Sequence, residues 1–207
     1  MNQKNSLGLD ICFGDHDDPI SLFNTWYTEA EKSEIINSNA FALGTSGSNN
    51  QPNVRMVLLK SFSKKGFVFY TNLDSKKSQE IKNNPFASMC FYWKSIKKQI
   101  RVLGKVKQIS DKEADEYFDS RSYLSRVGAL ASQQSARLKN KEELLKKIEN
   151  LKNNYPDKSS VKRPEYWSGW KIHPEEIEFW LEGKDRIHER LNYINKNGKW
   201  FKEILYP

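Results

Sequence analysis

An α+β domain, an antiparallel barrel or sandwich with peripheral helices, is the fold class this sequence predicts. Short runs rich in β-branched and aromatic residues recur between Gly, Asn and Ser clusters, and they lie on both sides of a helical middle. Near the end, Asn197-Gly198 is a strong hairpin signal.

In chain order, Asp18-Pro19 followed by Leu22 and Trp26 reads as a capped helix with Pro in its first turn, ending near Ser38. Strand-like runs follow at 41–46, 54–61, 66–71, 87–93 and 99–109. A short helix from Asp74 or Ser75 to Asn83 interrupts them and is stopped by Asn83-Asn84-Pro85. Ser110 and Glu113 have the spacing of a capping box, which opens a helix through Tyr117 and Arg121. Asn140 and Glu143 repeat that spacing ahead of Leu144, Leu145, Ile148 and Leu151. Strand patterns return at 167–172, 177–181, 186–194 and 200–205. There is no internal repeat, so one domain over 1–207 is expected, with 1–17 a flexible N-terminal segment.

Composition limits the function classes. The 207 residues are 37% hydrophobic and 13% aromatic, enough for a core and too apolar for global disorder. The longest nearly apolar run, 87–93, cannot span a bilayer, and the N-terminus has no basic-then-apolar leader pattern, so a cytoplasmic protein without membrane contact is expected. Cys12 and Cys90 are too few for a disulfide scaffold or zinc cluster. The net charge of +8 is concentrated between 137 and 163, where nine Lys/Arg face four Asp/Glu on a helical pattern that reads as a solvated face. With no zinc finger, arginine-rich arm or ribonucleoprotein signature, a nucleic-acid or other polyanion-binding module is the lesser reading; small phosphorylated ligands fit the excess equally well.

Dinucleotide, Walker, nucleophile-elbow and zinc-protease signatures are absent, and the spacing of His16, His173 and His188 supports no metal site. Three units remain. Arg55-Met56-Val57-Leu58-Leu59-Lys60 places its terminal cations on opposite faces of a strand, which either end in solvent or each meet an anion. Tyr117, Arg121 and Ser125 fall at i, i+4 and i+8, and on a continuing helix they would share one face suited to a phosphate. In a strand, Arg186, His188 and Arg190 would share a face needing an anionic partner, or form a charged, protected edge.

Read in order, these units resemble the pyridoxamine 5′-phosphate oxidase family over residues 41–207. The strings that carry it are RMVLLK at Arg55, GFVFYTN at Gly66, SKK at Ser75, NPFASMCFYW at Asn84, KQIRVLGKV at Lys98, YFDSR at Tyr117, ASQQS at Ala131, RPEYWSGW at Arg163, IEFW at Ile177 and RIHER at Arg186. The resemblance implies an FMN-binding split β-barrel, antiparallel and Greek-key-like, forming a homodimer with flavin at the subunit interface. It further implies oxidation of pyridoxine or pyridoxamine 5′-phosphate to pyridoxal 5′-phosphate by molecular oxygen, with release of hydrogen peroxide, and of ammonia from the amine.

Carried over by position, Arg55, Met56, Val57, Leu58, Leu59, Lys60, Tyr70, Thr71, Lys76, Lys77, Gln99, Gln134 and Ser135 would bind FMN, with Trp180 and Arg190 coming from the partner subunit. Lys60, Tyr117, Arg121 and Ser125 would hold the substrate phosphate, and Arg186, Ile187 and His188 would lie at its ring, Arg186 and His188 as the catalytic pair. A split-barrel flavoprotein with another substrate is the alternative from the same fold. The chain departs from the family pattern at Lys76 for Arg, Ser122 for Pro, Ile187 for Leu and Glu189 for Asp. Before Asp18 it has neither the Arg nor the Tyr of the usual N-terminal Arg-x-x-Tyr element.

Overall fold

The structure, a computed structural model, describes residues 3–207. Its helices are α1 (Pro19–Ser33), α2 (Lys76–Asn83), α3 (Asp111–Ser120), α4 (Tyr123–Ala131) and α5 (Lys141–Asn154). Its strands are β1 (Ala40–Ser46), β2 (Pro52–Leu58), β3 (Ser61–Ser63), β4 (Gly66–Asn72), β5 (Phe86–Trp93), β6 (Lys98–Gln108), β7 (Trp167–Leu181), β8 (Glu189–Lys196) and β9 (Lys199–Leu205). They form a single antiparallel sheet in the order β2-β1-β5-β6-β7-β4-β3, with β8 and β9 branching from β7. Among the described residues no helix is long and apolar enough to cross a membrane.

The branch gives the sheet its split-barrel shape. Residues 167–172 of β7 pair with β4, and residues 176–181 pair with β8, while β6 follows β7 along both halves. At the change of partner lies Pro174, which has no N–H to donate. The β6–β7 register shifts there, between Leu103 and Gly104. Gly104 is required at this point, because a Cβ would lie 2.0 Å from the His173 carbonyl oxygen. The two strands expected at 167–172 and 177–181 are therefore one bent strand.

The helix α1 closes the curled sheet. Asp18 caps it by accepting from the Ile20 N–H at 3.0 Å, and Pro19 occupies its first turn. Leu22, Phe23, Trp26 and Ala30, spaced for one face, are fully buried. Phe23 meets Phe62, Phe67 and Phe91 edge-on at 4.8, 4.9 and 5.6 Å, and this aromatic packing joins strands distant in sequence. The helix ends at Ser33 rather than near Ser38, since Glu34 is already extended (φ −82°, ψ 125°); Asn37 then turns left-handed (φ 56°) and Ser38 gives its carbonyl to the Trp93 indole at 2.8 Å.

The strand expected at 54–61 breaks because Leu59 turns into the core and the Lys60 N–H donates to Val68 O at 2.9 Å. The capping box of Ser110 and Glu113 is complete, whereas Asn140 only accepts from the Glu143 N–H. Asn197 (φ 53°) and Gly198 (φ 83°) form the β8–β9 turn, both in the left-handed region that such hairpins require.

The N-terminal stretch, expected to be flexible over 1–17, carries fixed contacts from Gln3 onward; residues 1 and 2 lie outside the described residues. Phe13 is fully buried, the Trp26 indole donates to Cys12 O at 2.9 Å, and the Tyr193 hydroxyl donates to His16 O at 2.8 Å.

Replacing Gly104 by Ala is expected to destabilise the protein by about 1–3 kcal/mol through overpacking against the β7 backbone. Gly128→Ala, in α4 where a Cβ meets nothing within 4 Å, is expected to stabilise it by about 0.5–1 kcal/mol. Thermal melts of the two variants should shift in opposite directions.

Candidate active site

A cavity of about 1020 Å³ opens between β2, β4, the first turn of α2 and the α3–α4 junction. Among the described residues five cations line it, Arg55, Lys60, Lys76, Lys77 and Arg121, and no Asp or Glu does. Lys76 and Lys77 stand in the first turn of α2, where the helix dipole disfavours positive charge. So much like charge around one space is costly without an anion to meet it.

Arg55 is the most firmly held. Its Nη1 donates to Leu43 O at 3.1 Å, to Asn53 O at 3.3 Å and to the Thr45 hydroxyl, and its Nη2 meets Glu80 at 3.2 Å. Glu80 is buried and also accepts from Thr45 Oγ1 and Asn53 Nδ2, each at 2.6 Å. These bonds orient the guanidinium while keeping the carboxylate off the cavity wall. Arg55 thus meets an anion, and Lys60 stays exposed at the cavity.

Lys77 is buried on three neutral acceptors, Thr71 Oγ1 at 3.0 Å, Ser75 Oγ at 3.1 Å and Gln134 Oε1 at 2.8 Å. Burial, and then the nearby Arg55, lower its ammonium pKa to about 8. Ser135, beside Gln134, holds a left-handed φ of 74°, and Asn72 ties this loop to β4 through Ser132 O at 3.3 Å.

The opposite wall is aromatic. Tyr70 stacks on Tyr117 with centroids 3.8 Å apart and on Trp167 at 5.3 Å. The Arg121 guanidinium lies 4.7 Å from the Trp167 ring centroid, and its Nη1 is buried with no acceptor among the described residues. Burial shifts this guanidinium pKa down, and raises the Tyr70 phenol to about 12.

The continuous helix expected through Tyr117, Arg121 and Ser125 is broken. Arg121 is extended (φ −76°, ψ 152°), and Ser122 caps α4 by accepting from the Ser125 N–H at 3.3 Å. The break nevertheless leaves all three residues on the cavity. Met56, Val57, Leu58, Tyr70, Thr71, Gln134 and Ser135 line it as well, while the Leu59 side chain belongs to the core.

The remaining candidates gather elsewhere, at the far end of β7. Gln99, Trp180 and Arg190 are register neighbours across β6, β7 and β8, so Gln99 sits with Trp180 and not with the Arg55 group as expected. Arg190 Nε meets the buried carboxylate of Glu178 at 2.8 Å, and its Nη1 donates to Tyr206 O at 2.9 Å. Glu178 also meets Arg101 at 3.0 Å.

The expected strand through Arg186, His188 and Arg190 starts only at Glu189. Asp185 and Arg186 form a tight turn with φ of 55° and 65°, so strand alternation does not order their side chains. His188 packs on Trp180 with centroids 4.6 Å apart, and its Nδ1 accepts from the Gly183 N–H at 3.2 Å. Ile187 is exposed. One chain thus holds two groups of candidate residues, a cationic cavity and a separate Arg/His turn.

Glu80 and Glu178, which orient Arg55 and Arg190, were not among the candidates. Glu178 lies in the IEFW string two residues before Trp180, on the same strand face. Glu80 gives no sequence signal, because α2 and β2 meet only in the fold.

Comparison with known proteins bears on both groups. The family model described as pyridoxamine 5′-phosphate oxidase matches residues 27–155, and that of the pyridoxine 5′-phosphate oxidase C-terminal dimerisation region matches 167–207. The chain is 57% identical over 208 residues to the pyridoxine/pyridoxamine 5′-phosphate oxidase of Pelagibacter ubique, covering 100% of both chains. It is 46% identical over 197 residues to that of Allorhizobium ampelinum, covering 94% of this chain and 95% of the relative. Among solved structures, PhzG from Burkholderia lata, bound to tetrahydrophenazine-1-carboxylic acid, superposes with a TM-score of 0.89 at 26% identity, covering 99% of this chain and 100% of that one. An FMN-binding protein from Nostoc punctiforme shares the fold with a TM-score of 0.74 at 16% identity, covering 92% and 98% of the two chains.

The lowered Lys77 pKa sets a pH dependence. An anion favours the protonated amine, so above pH about 8 binding must take up a proton. A phosphate monoester is already dianionic there, and its affinity is expected to fall by up to about tenfold per pH unit. Calorimetric titrations from pH 7 to 9.5 should reveal this slope, and Lys77→Met should weaken binding and flatten it.

Proposed function

The chain belongs to the pyridoxamine 5′-phosphate oxidase family, and from that premise we propose that it uses FMN to oxidise pyridoxine or pyridoxamine 5′-phosphate to pyridoxal 5′-phosphate. Molecular oxygen is the final acceptor and hydrogen peroxide the reduced product; the amine substrate also consumes one water, which supplies the aldehyde oxygen as ammonia leaves. The observation that carries this reading is the cavity that, among the described residues, has five cations and no carboxylate on its walls.

The residues present fit two phosphorylated ligands. Arg55, Lys76 and Lys77, with Thr71, Gln134 and Ser135, would hold the FMN phosphate; Met56, Val57 and Leu58 would supply the wall beside them. Lys60, Tyr117, Arg121 and Ser125 hold the substrate phosphate, and the buried, unpartnered Nη1 of Arg121 supports that role. FMN, when bound, supplies the redox chemistry, taking two electrons from the substrate and returning them to oxygen.

The protein's part is placement. Arg121, fixed over Trp167, anchors the substrate by its phosphate and orients the ring. Arg186, Ile187 and His188 would cover that ring from a partner subunit, and Gln99, Trp180 and Arg190 of that subunit would hold the flavin. The separation of the two groups within one chain supports a homodimeric, composite site, as does the family match at 167–207 described as a dimerisation region. His188, accepting at Nδ1, presents its Nε2–H to the ring as a donor. Both family matches fall on one sheet, since β6 of the first pairs with β7 of the second, which supports a single domain. Cys12 and Cys90 are free, which supports a reducing, cytoplasmic location.

Anaerobic addition of pyridoxine 5′-phosphate to the flavin-loaded protein should bleach the flavin spectrum, and air should restore it with formation of peroxide; a flavin that neither B6 phosphate bleaches would contradict the proposal. Arg121→Ala should raise KM at least about tenfold with flavin retained, as expected for loss of a charge-assisted phosphate contact. Arg186→Leu should instead act chiefly on kcat.

A further inference from the structure

The turn that carries Arg186 and His188 adopts a conformation that needs outside support. Asp185 and Arg186 are consecutive non-glycine residues in the left-handed region, with φ of 55° and 65°, and such residues persist where their surroundings hold them. The turn folds back tightly on Gly183, where a Cβ would lie 1.7 Å from Ile187 O. Its internal bonds are few: Ile187 N–H to Lys184 O and His188 N–H to Arg186 O, both at 3.0 Å, and Gly183 N–H to His188 Nδ1 at 3.2 Å.

The next residue, Glu189, ties the turn to the N-terminus. One carboxylate oxygen accepts from Lys4 Nζ and the other from the Asp10 backbone N–H. The hook between these two residues is itself rigidly built. Lys4 and Asp10 form an isolated antiparallel bridge, and Asn5 Oδ1 accepts from the Leu7 and Leu9 N–H groups at 3.0 and 3.1 Å. Asn5 Nδ2 also donates to Gly14 O at 2.9 Å, and buried Phe13 roots the hook in the core. Glu189 thus joins a turn with few internal bonds to a segment anchored on α1.

We propose that Lys4 and Glu189 are positioning residues, a clamp by which the N-terminal hook holds the Arg186–His188 turn in the geometry that serves the substrate ring. The role in turnover rests on the oxidase reading above; the clamp itself does not. Neither residue needs to touch substrate or flavin. Lys4 supplies a charge-assisted bond and the Asp10 N–H a second donor, so the carboxylate fixes the start of β8 and the turn ahead of it.

The test combines amide hydrogen exchange at Ile187 and His188 with steady-state kinetics on the flavin-loaded, full-length protein. Lys4→Ala and Glu189→Gln are expected to speed exchange at both amides by at least about fivefold, as local opening becomes easier. They should lower kcat while leaving the substrate KM and flavin content unchanged. Lys4→Arg should restore wild-type behaviour, and Lys152→Ala, which removes an exposed pair with Glu149 on α5, should change neither readout. Unchanged exchange in both variants would overturn the clamp, and faster exchange with unchanged kcat would overturn its role in positioning. If the wild-type protein oxidised neither B6 phosphate, the oxidase reading would fail while exchange still decided the clamp.

Discussion

The fold depends on the exchange of partners along β7. One edge of that strand stays on β6, while the other passes from β4 to β8 where Pro174 offers no donor and Gly104 allows the backbones to meet. The bend curls one half of the sheet around Phe23 and Trp26 of α1. The same branch separates the β4 half, which lines the cationic cavity, from the β8 half, which carries the Arg/His turn. A straight β7 would give a flatter sheet with neither the enclosed aromatic core nor the two separated surfaces.

Electrostatics then divides the labour between two buried carboxylates. Glu80 orients Arg55 beside the cavity, and Glu178 orients Arg190 at the far end of β7. Each satisfies part of one guanidinium and leaves other donors free, which fixes geometry while preserving capacity for an anion. Lys77 has only neutral acceptors, so burial depresses its ammonium pKa, and the proposed phosphate would restore the balance. Arg121 resembles it, held by an aromatic face and short of an acceptor. The cavity is therefore set up for anions before any is bound.

Local chemistry made much of this readable in the sequence. The Asp18 cap, the Ser110–Glu113 box and the Asn197-Gly198 turn are contacts within a few residues, and each forms where its pattern lies. Ordered motifs marked the cavity residues even where the geometric argument failed, as with Arg121, whose helix stops because Ser122 starts another. Features set by distant partners were not readable. In place of strand alternation Arg186 has a left-handed turn, Gln99 pairs with Trp180 across a strand distant in sequence, and the N-terminal stretch has no periodic pattern to reveal its docking on α1 and Glu189.

The proposed site is assembled from two chains, a cavity from one and an Arg/His turn from the other. Mixing two impaired variants under subunit exchange, Arg121→Ala in the cavity and Arg186→Leu in the turn, tests it most directly when activity is read at substrate well below KM. A composite site predicts recovery of up to about a quarter of wild-type activity, since half of the dimers would be mixed and each would hold one intact site. No recovery despite verified subunit exchange would mean that each chain completes its own site, and would contradict the account.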